Sequence, residues 1–97
     1  MASSVVLINV FTVPQGKEDE FIKIWNETGQ FLKNASGFID AKLHRSLDAN
    51  ARFQFINVAH WESVEAYEAA ISEHQPKEKQ VAWLEANPAL YTVEAQY

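Results

Sequence analysis

Between Arg52 and Ala70 the hydrophobic period of the chain changes from that of a strand to that of a helix, with a tryptophan at the junction. Phe53, Phe55, Asn57, Ala59 and Trp61 alternate with Gln54, Ile56, Val58 and His60, and this period of two predicts a strand. From Ser63 onward Val64, Ala66, Tyr67, Ala70 and Ile71 recur at helical spacing. Ser63 suits the N-cap, because its hydroxyl can accept one of the backbone N–H groups that a helix start leaves unbonded. Trp61 therefore stands at a strand-to-helix corner, where the layers of a sheet-and-helix sandwich diverge and a cavity can open. Its indole either wedges the corner shut with its N–H bonded locally or forms a wall of that cavity.

The preceding chain supplies two strands and a helix. Val5 to Val13, VVLINVFTV, is apolar at odd and even positions alike, as a strand covered on both faces would be. Asn9 interrupts the face shared by Val5, Leu7, Phe11 and Val13. A carboxamide there must find hydrogen bonds or forfeit about 1–3 kcal/mol, so it is either satisfied by nearby backbone or aimed into a pocket. Pro14-Gln15-Gly16 ends the strand, and Lys17 to Asn34 reads as a helix on the spacing of Phe21, Ile24, Trp25, Thr28, Phe31 and Leu32. Glu18, Asp19 and Glu20 suit its positive N-terminal end, Gly29 weakens its interior, and Gly37 provides the exit. Phe38 to Leu47 is a second strand, with Ile39, Ala41, Leu43, Arg45 and Leu47 on one face and Phe38, Asp40, Lys42, His44 and Ser46 on the other. Asp48 to Ala51 turns it back into the Arg52 strand as a hairpin.

After the Ser63 helix, Glu73 to Pro76 leads to a short helical pattern through Lys79, Val81, Ala82, Trp83 and Leu84, which Asn87-Pro88 ends. Ala89 to Tyr97 is predicted as the last strand. The order is then βαββαβ: a ferredoxin-like α+β sandwich with an antiparallel sheet in the order 4-1-3-2 and both helices on one face. Ile56 and Val58 would lie on the uncovered face, which with the two-sided first strand is too apolar for water. A homodimer with sheets face to face is the simplest cover.

The chain has 97 residues, enough for one domain with a modest core, so residues 1–97 are read as a single domain. It has no cysteine, which excludes disulfides, thiolate metal sites and cysteine nucleophiles, and permits a cytoplasmic setting. The net charge of −5 and the lack of a basic stripe argue against nucleic acid. No apolar run could span a membrane or form a signal peptide, and two glycosylation sequons, at Asn26 and Asn34, are read as chance. No phosphate loop, serine elbow or zinc motif is present, and Glu62, Glu65 and Glu68 read as a solvated helix face.

The runs FINVAHWES and EAYEAA, the opening NVFTVPQGKEDEF and the closing NPALYTVEAQY resemble the antibiotic biosynthesis monooxygenase family of dimeric α/β barrels over nearly the whole chain. The resemblance implies a homodimer in which each subunit keeps a pocket between sheet and helices. Some members oxidise phenols or quinols with O₂ and neither metal nor flavin, some bind and degrade haem, and many have no known substrate. Haem-degrading members resemble this chain in the spacing of Asn9 and Gly16, but carry a tryptophan and an iron-ligating histidine where this chain has Ala70 and Gln80. His74 lies nearby and reads as an exposed loop histidine.

The leading expectation is cofactor-independent oxygenation of a small aromatic by O₂, with no metal and no cofactor. A non-catalytic binding or stress-associated protein of the same fold is the alternative, and haem binding comes third. An electron-rich phenolate can pass one electron to O₂ unaided, so the protein must bind the anion, accept or polarise its proton, and exclude water. Asn9, Trp61 and His44 are the candidate catalytic residues, His44 as the proton acceptor on the expectation that it shares the helix-facing side with Phe38. Phe11, Trp25, Phe55, Asn57, Tyr67 and Trp83 are the candidate substrate-binding residues; for the aromatics among them, packing in the core is the competing role.

Overall fold

A computed structural model describes residues 4–74 and 81–97. The element order is β1 (Val5–Thr12), α1 (Glu18–Leu32), β2 (Phe38–Arg45), β3 (Phe55–Trp61), α2 (Val64–Glu73) and β4 (Glu85–Tyr91). The strands form one antiparallel sheet in the order β2-β3-β1-β4. This is the ferredoxin-like arrangement that the pattern predicts.

Both helix boundaries have local causes. Ser63 accepts the N–H of Ala66 at 3.1 Å and caps α2. Ahead of α1, Gly16 takes φ +94°, a backbone state that costs glycine nothing, and its N–H reaches Glu18 at 2.9 Å. At Gly37, φ is +89° and a Cβ would collide with the Cβ of Ala66, while the carbonyl accepts Glu62 N–H at 2.8 Å. Gly37 therefore lets the start of α2 dock directly onto the end of the α1–β2 connection.

The helix-facing side of the sheet carries two core clusters. Val5, Leu7, Ala59, Trp61 and Ala70 form one; Phe11, Val13, Phe21, Phe55 and Leu84 form the other. Phe21, fully buried, lies between Phe11 and Phe55 with ring centroids 4.7 and 4.8 Å away. Burying one such side chain is worth about 1.5–3 kcal/mol. The two residues that separate the clusters along β1 and β3 are Asn9 and Asn57, which are direct cross-strand partners. The core is thus interrupted where the sequence puts two amides on an otherwise apolar face.

Four expectations about the elements are corrected. First, β4 begins at Glu85 rather than Ala89 and ends at Tyr91, so Pro88 lies inside a strand instead of ending a helix. It is tolerated because β4 is an edge strand, where a missing N–H need not interrupt a ladder on both sides. Second, Val81 to Leu84 is a turn closed by Leu84 N–H on the Val81 carbonyl at 3.2 Å; the start of the expected helical pattern, at Lys79, lies outside the described residues. Third, β2 carries a bulge between Phe38 and Asp40, so Phe38 and Ala41, rather than Phe38 and His44, share the helix-facing side, while Ile39 is exposed. Fourth, Leu47 is wholly exposed in the connection between β2 and β3. That connection is held by Gln54, whose amide donates to the carbonyls of Asp48, Ala49 and Ala51 at 3.0–3.1 Å, and β3 starts only at Phe55, after Phe53.

Candidate functional site

The gap between the two clusters is a cavity of about 90 Å³. Its floor is the sheet: Leu7, Asn9 and Phe11 from β1, Asn57, Ala59 and Trp61 from β3, Phe38 and Ala41 from β2, and Ala86 and Pro88 from β4. Its roof is one face of α1, with Trp25, Thr28, Gly29 and Leu32 at helical spacing, together with Ile71 of α2. Among the described residues, no acid, base or histidine lines it. The wall is apolar except for a few polar groups.

Those groups set the chemistry. The Asn9 carboxamide oxygen accepts the backbone N–H of Asn87 at 2.9 Å. A backbone N–H can only donate, so this bond fixes the amide orientation and leaves the NH₂ as the end Asn9 can offer a ligand. Asn87 in turn donates its own amide to the Val10 carbonyl at 3.2 Å, so two side-chain bonds tie β4 to β1 at this point. Asn57 is 8% exposed and its side-chain oxygen has no partner; Trp61 is 1% exposed and its indole N–H has none either. Each such orphan costs the fold about 1–3 kcal/mol. Two of them in one cavity wall mark a place where a water molecule or a ligand can supply the missing bonds. The indole's edge-to-face contacts with Phe38 (5.3 Å) and Tyr67 (5.6 Å) hold its ring in place, so Trp61 is not bonded locally as a plain wedge would be.

Of the residues singled out from sequence, the structure brings Asn9, Phe11, Trp25, Asn57 and Trp61 together around the cavity. Four others lie elsewhere. His44 pairs with Ile56 across β2 and β3 and is exposed on the open face, because the bulge shifts the alternation of β2 by one residue. Phe55 packs against Phe21 in the second cluster, with the Arg45 guanidinium 5.2 Å from its ring centre. Trp83 packs on that same cluster, its ring 5.6 Å from the Lys17 ammonium. Tyr67 stands behind Trp61, and partial burial raises its pKa from the ordinary value of 10.0. His60, on the open face, approaches Asp40 at 2.6 Å.

Among the lining residues that sequence reasoning did not single out for the site are Gly29, Phe38, Ile71, Ala86 and Pro88. The spacing of Trp25, Gly29 and Leu32 on one face of α1 was the available signal for Gly29. At the positions set against the haem-degrading branch, Ala70 is buried in the first cluster, Gln80 lies outside the described residues, and His74 stacks on exposed Phe31 with ring centroids 5.1 Å apart. Among the described residues no group of three or more acidic or histidine side chains could hold a metal ion, and no helix is long and apolar enough to cross a membrane.

The sheet and its helices thus make a ferredoxin-like α+β protein with an apolar, polar-ended cavity between the layers. The chain belongs to the antibiotic biosynthesis monooxygenase family, whose model matches residues 4–85. It is similar over 99% of both chains to a protein of Shewanella loihica PV-4 provisionally assigned as a monooxygenase, at 34% identity and a TM-score of 0.88. It is also similar to SnoaB, a cofactor-independent oxygenase from Streptomyces nogalater, at 25% identity and a TM-score of 0.76, over 98% of this chain and 97% of that one. A mycobilin-producing heme oxygenase of Mycobacterium tuberculosis is 37% identical over 65 residues. That match takes in 67% of this chain and only 60% of the oxygenase.

Proposed function

We propose that the protein is a cofactor-independent monooxygenase that oxidises a small phenol or quinol with O₂ inside this cavity. The observation that carries the reading is the pair of buried, unpartnered polar atoms, Asn57 Oδ1 and Trp61 Nε1, beside the Asn9 amide in an otherwise apolar enclosure. The SnoaB likeness supports the choice of reaction. The indole N–H and the Asn9 NH₂ would both donate to an ionised substrate oxygen, and in a dry site such preorganised donors are worth more than in water. Asn57 Oδ1 is an acceptor, so it would take a hydrogen bond from a second, protonated hydroxyl such as a quinol carries and would not hold the ionised oxygen.

The electrons come from the substrate. A phenolate gives one electron to O₂, and the resulting superoxide joins the ring carbon para to the oxygen as a peroxide. Loss of water then leaves a quinone: one phenol and one O₂ become one quinone and one water. Both protons of that water originate on the substrate. The wall needs to hold the anion and exclude bulk water, and it carries the donors and apolar groups for both.

Two chains would pair through the open faces of their sheets. Val6, Ile8 and Val10 of β1 and Ile56 and Val58 of β3 are all only half-buried there, and a second sheet would cover them.

The test is O₂ uptake by metal-stripped protein over naphthols, anthrones and reduced quinones. Saturable uptake that falls when Asn9 is replaced supports the reading. Binding without uptake would make the protein a carrier that uses the same cavity. Haem binding is a second reading, favoured by the mycobacterial likeness, and a Soret band on adding hemin would establish it.

A further inference from the structure

We propose that pairing of the open sheet faces is switched by pH through His60 and Asp40, tight while His60 is an imidazolium and weak once it is neutral. This rests on reading the open face as the contact between two copies of the chain. Asp40, His60, Val6 and Tyr91 stand in one row across β2, β3, β1 and β4. Within that row His60 Nδ1 approaches Asp40 Oδ1 at 2.6 Å. His60 follows Ile56 and Val58 along the same face of β3, so the pair adjoins the apolar patch that a second sheet would cover. The two side chains are 39% and 50% exposed in the single chain, and a second copy seated there would take both out of water.

The bond also fixes which nitrogen titrates. A carboxylate can only accept, so Nδ1 holds a proton in either state and Nε2 is the nitrogen that gains or loses one. With both nitrogens protonated the pair is neutral as a whole; with one it carries a single negative charge. A neutral, hydrogen-bonded ion pair costs less to bury than a carboxylate beside an uncharged partner. The neighbours do not cancel that charge. On this face β1 offers Val6 and Ile8, and β4 offers the Tyr91 phenol at one end and Glu85 at the other. Farther along β2 stand Lys42, opposite Val58, and His44, opposite Ile56. Among the described residues Lys42 forms no ion pair, so Asp40 is met by His60 alone. The whole chain carries a net charge of −5 with its histidines neutral, so two copies also repel each other less once each has gained a proton. Pairing thus takes up protons, and falling pH favours it.

Sedimentation equilibrium of the full chain between about pH 6 and about pH 8, the range in which histidine ordinarily changes charge, tests this. Each copy takes up as much as one proton on pairing, so log Kd should rise with pH at a slope of up to about two, and Kd by at least about tenfold across the range. His60→Gln keeps a donor for Asp40 but does not titrate, and its Kd should change by less than about twofold. His44→Gln should keep the wild-type rise. A rise that survives in His60→Gln, or disappears in His44→Gln, overturns the assignment to His60. A wild-type Kd that is flat or falls as pH rises overturns the switch and leaves the pairing in place. Wild type that sediments as a single 11.0 kDa chain at every pH overturns both together.

Discussion

The side-chain oxygen of Asn9 accepts the backbone N–H of Asn87, a residue 78 positions away, at 2.9 Å, and this one bond decides which end of the Asn9 amide remains for a ligand. Asn9→Asp keeps an acceptor for Asn87 but replaces the donor with an acceptor and adds negative charge. The fold should persist, while affinity for an ionised phenol drops by about tenfold or more, measured by titration above and below the ligand's pKa. Asn9→Ala instead loses the strand-to-strand bond and should cost about 1 kcal/mol in denaturant unfolding.

Trp61→Phe removes the unpartnered N–H and keeps an aromatic ring in the corner. Relief of a buried orphan donor offsets part of the lost packing, so stability should stay within about 2 kcal/mol of wild type while oxygen uptake collapses. Trp61→Ala should cost about 3–5 kcal/mol, because the ring is almost fully buried. A Phe variant with full turnover would remove the indole N–H from the mechanism.

Since no acid or base lines the cavity among the described residues, the pH dependence of kcat/KM should follow the ionisation of the substrate. Two phenols whose own pKa values differ by about one unit should give midpoints about one unit apart. A midpoint that stays fixed across substrates would point to a protein group.

Tyr67 gives a separate alkaline signature. Burial raises its pKa above 10.0, so the folded chain holds that proton more tightly than the unfolded chain. Below pH 10 both states are protonated and the stability is fully present. As pH rises past 10 the unfolded state ionises first and stability falls until the folded phenol ionises as well. Tyr67→Phe should flatten that decline in thermal melts taken above pH 10.

Ile56→Asp tests the proposed pairing of sheets. Ile56 faces the open side, opposite Val10 and His44, so a charge there should not disturb the core but should oppose burial against a second copy. Light scattering should then report the mass of one chain, 11.0 kDa, where wild type gives twice that. A variant that remains paired would move the interface to another surface.

Strand and helix periods made most of this architecture readable. The change at Trp61, the two-sided first strand and the βαββαβ order led to the observed sheet order, and the odd positions of β1 and β3 do face the helices. Asn9, Asn57 and Trp61 stood out as polar groups on that face. What could not be read depends on departures from regularity. Asn87-Pro88 looks like a terminator, yet an edge strand accepts proline. His44 counts as helix-facing from Phe38 until a single bulged residue reverses the count. Ile71 and Ala86 line the cavity only because of where α2 and an edge strand settle, and no spacing along the chain encodes that distance.

The bulge in β2 also bears on how relatives should be compared. Residues of β2 counted back from the hairpin keep their facing, whereas residues counted forward from Gly37 fall out of phase after Ile39. A homologue lacking that extra residue would keep every pairing of this strand. An alignment that placed the gap only a few positions later would nevertheless equate its cavity-facing residues with Asp40 and Lys42, and would report a charged pocket in a lineage that has none.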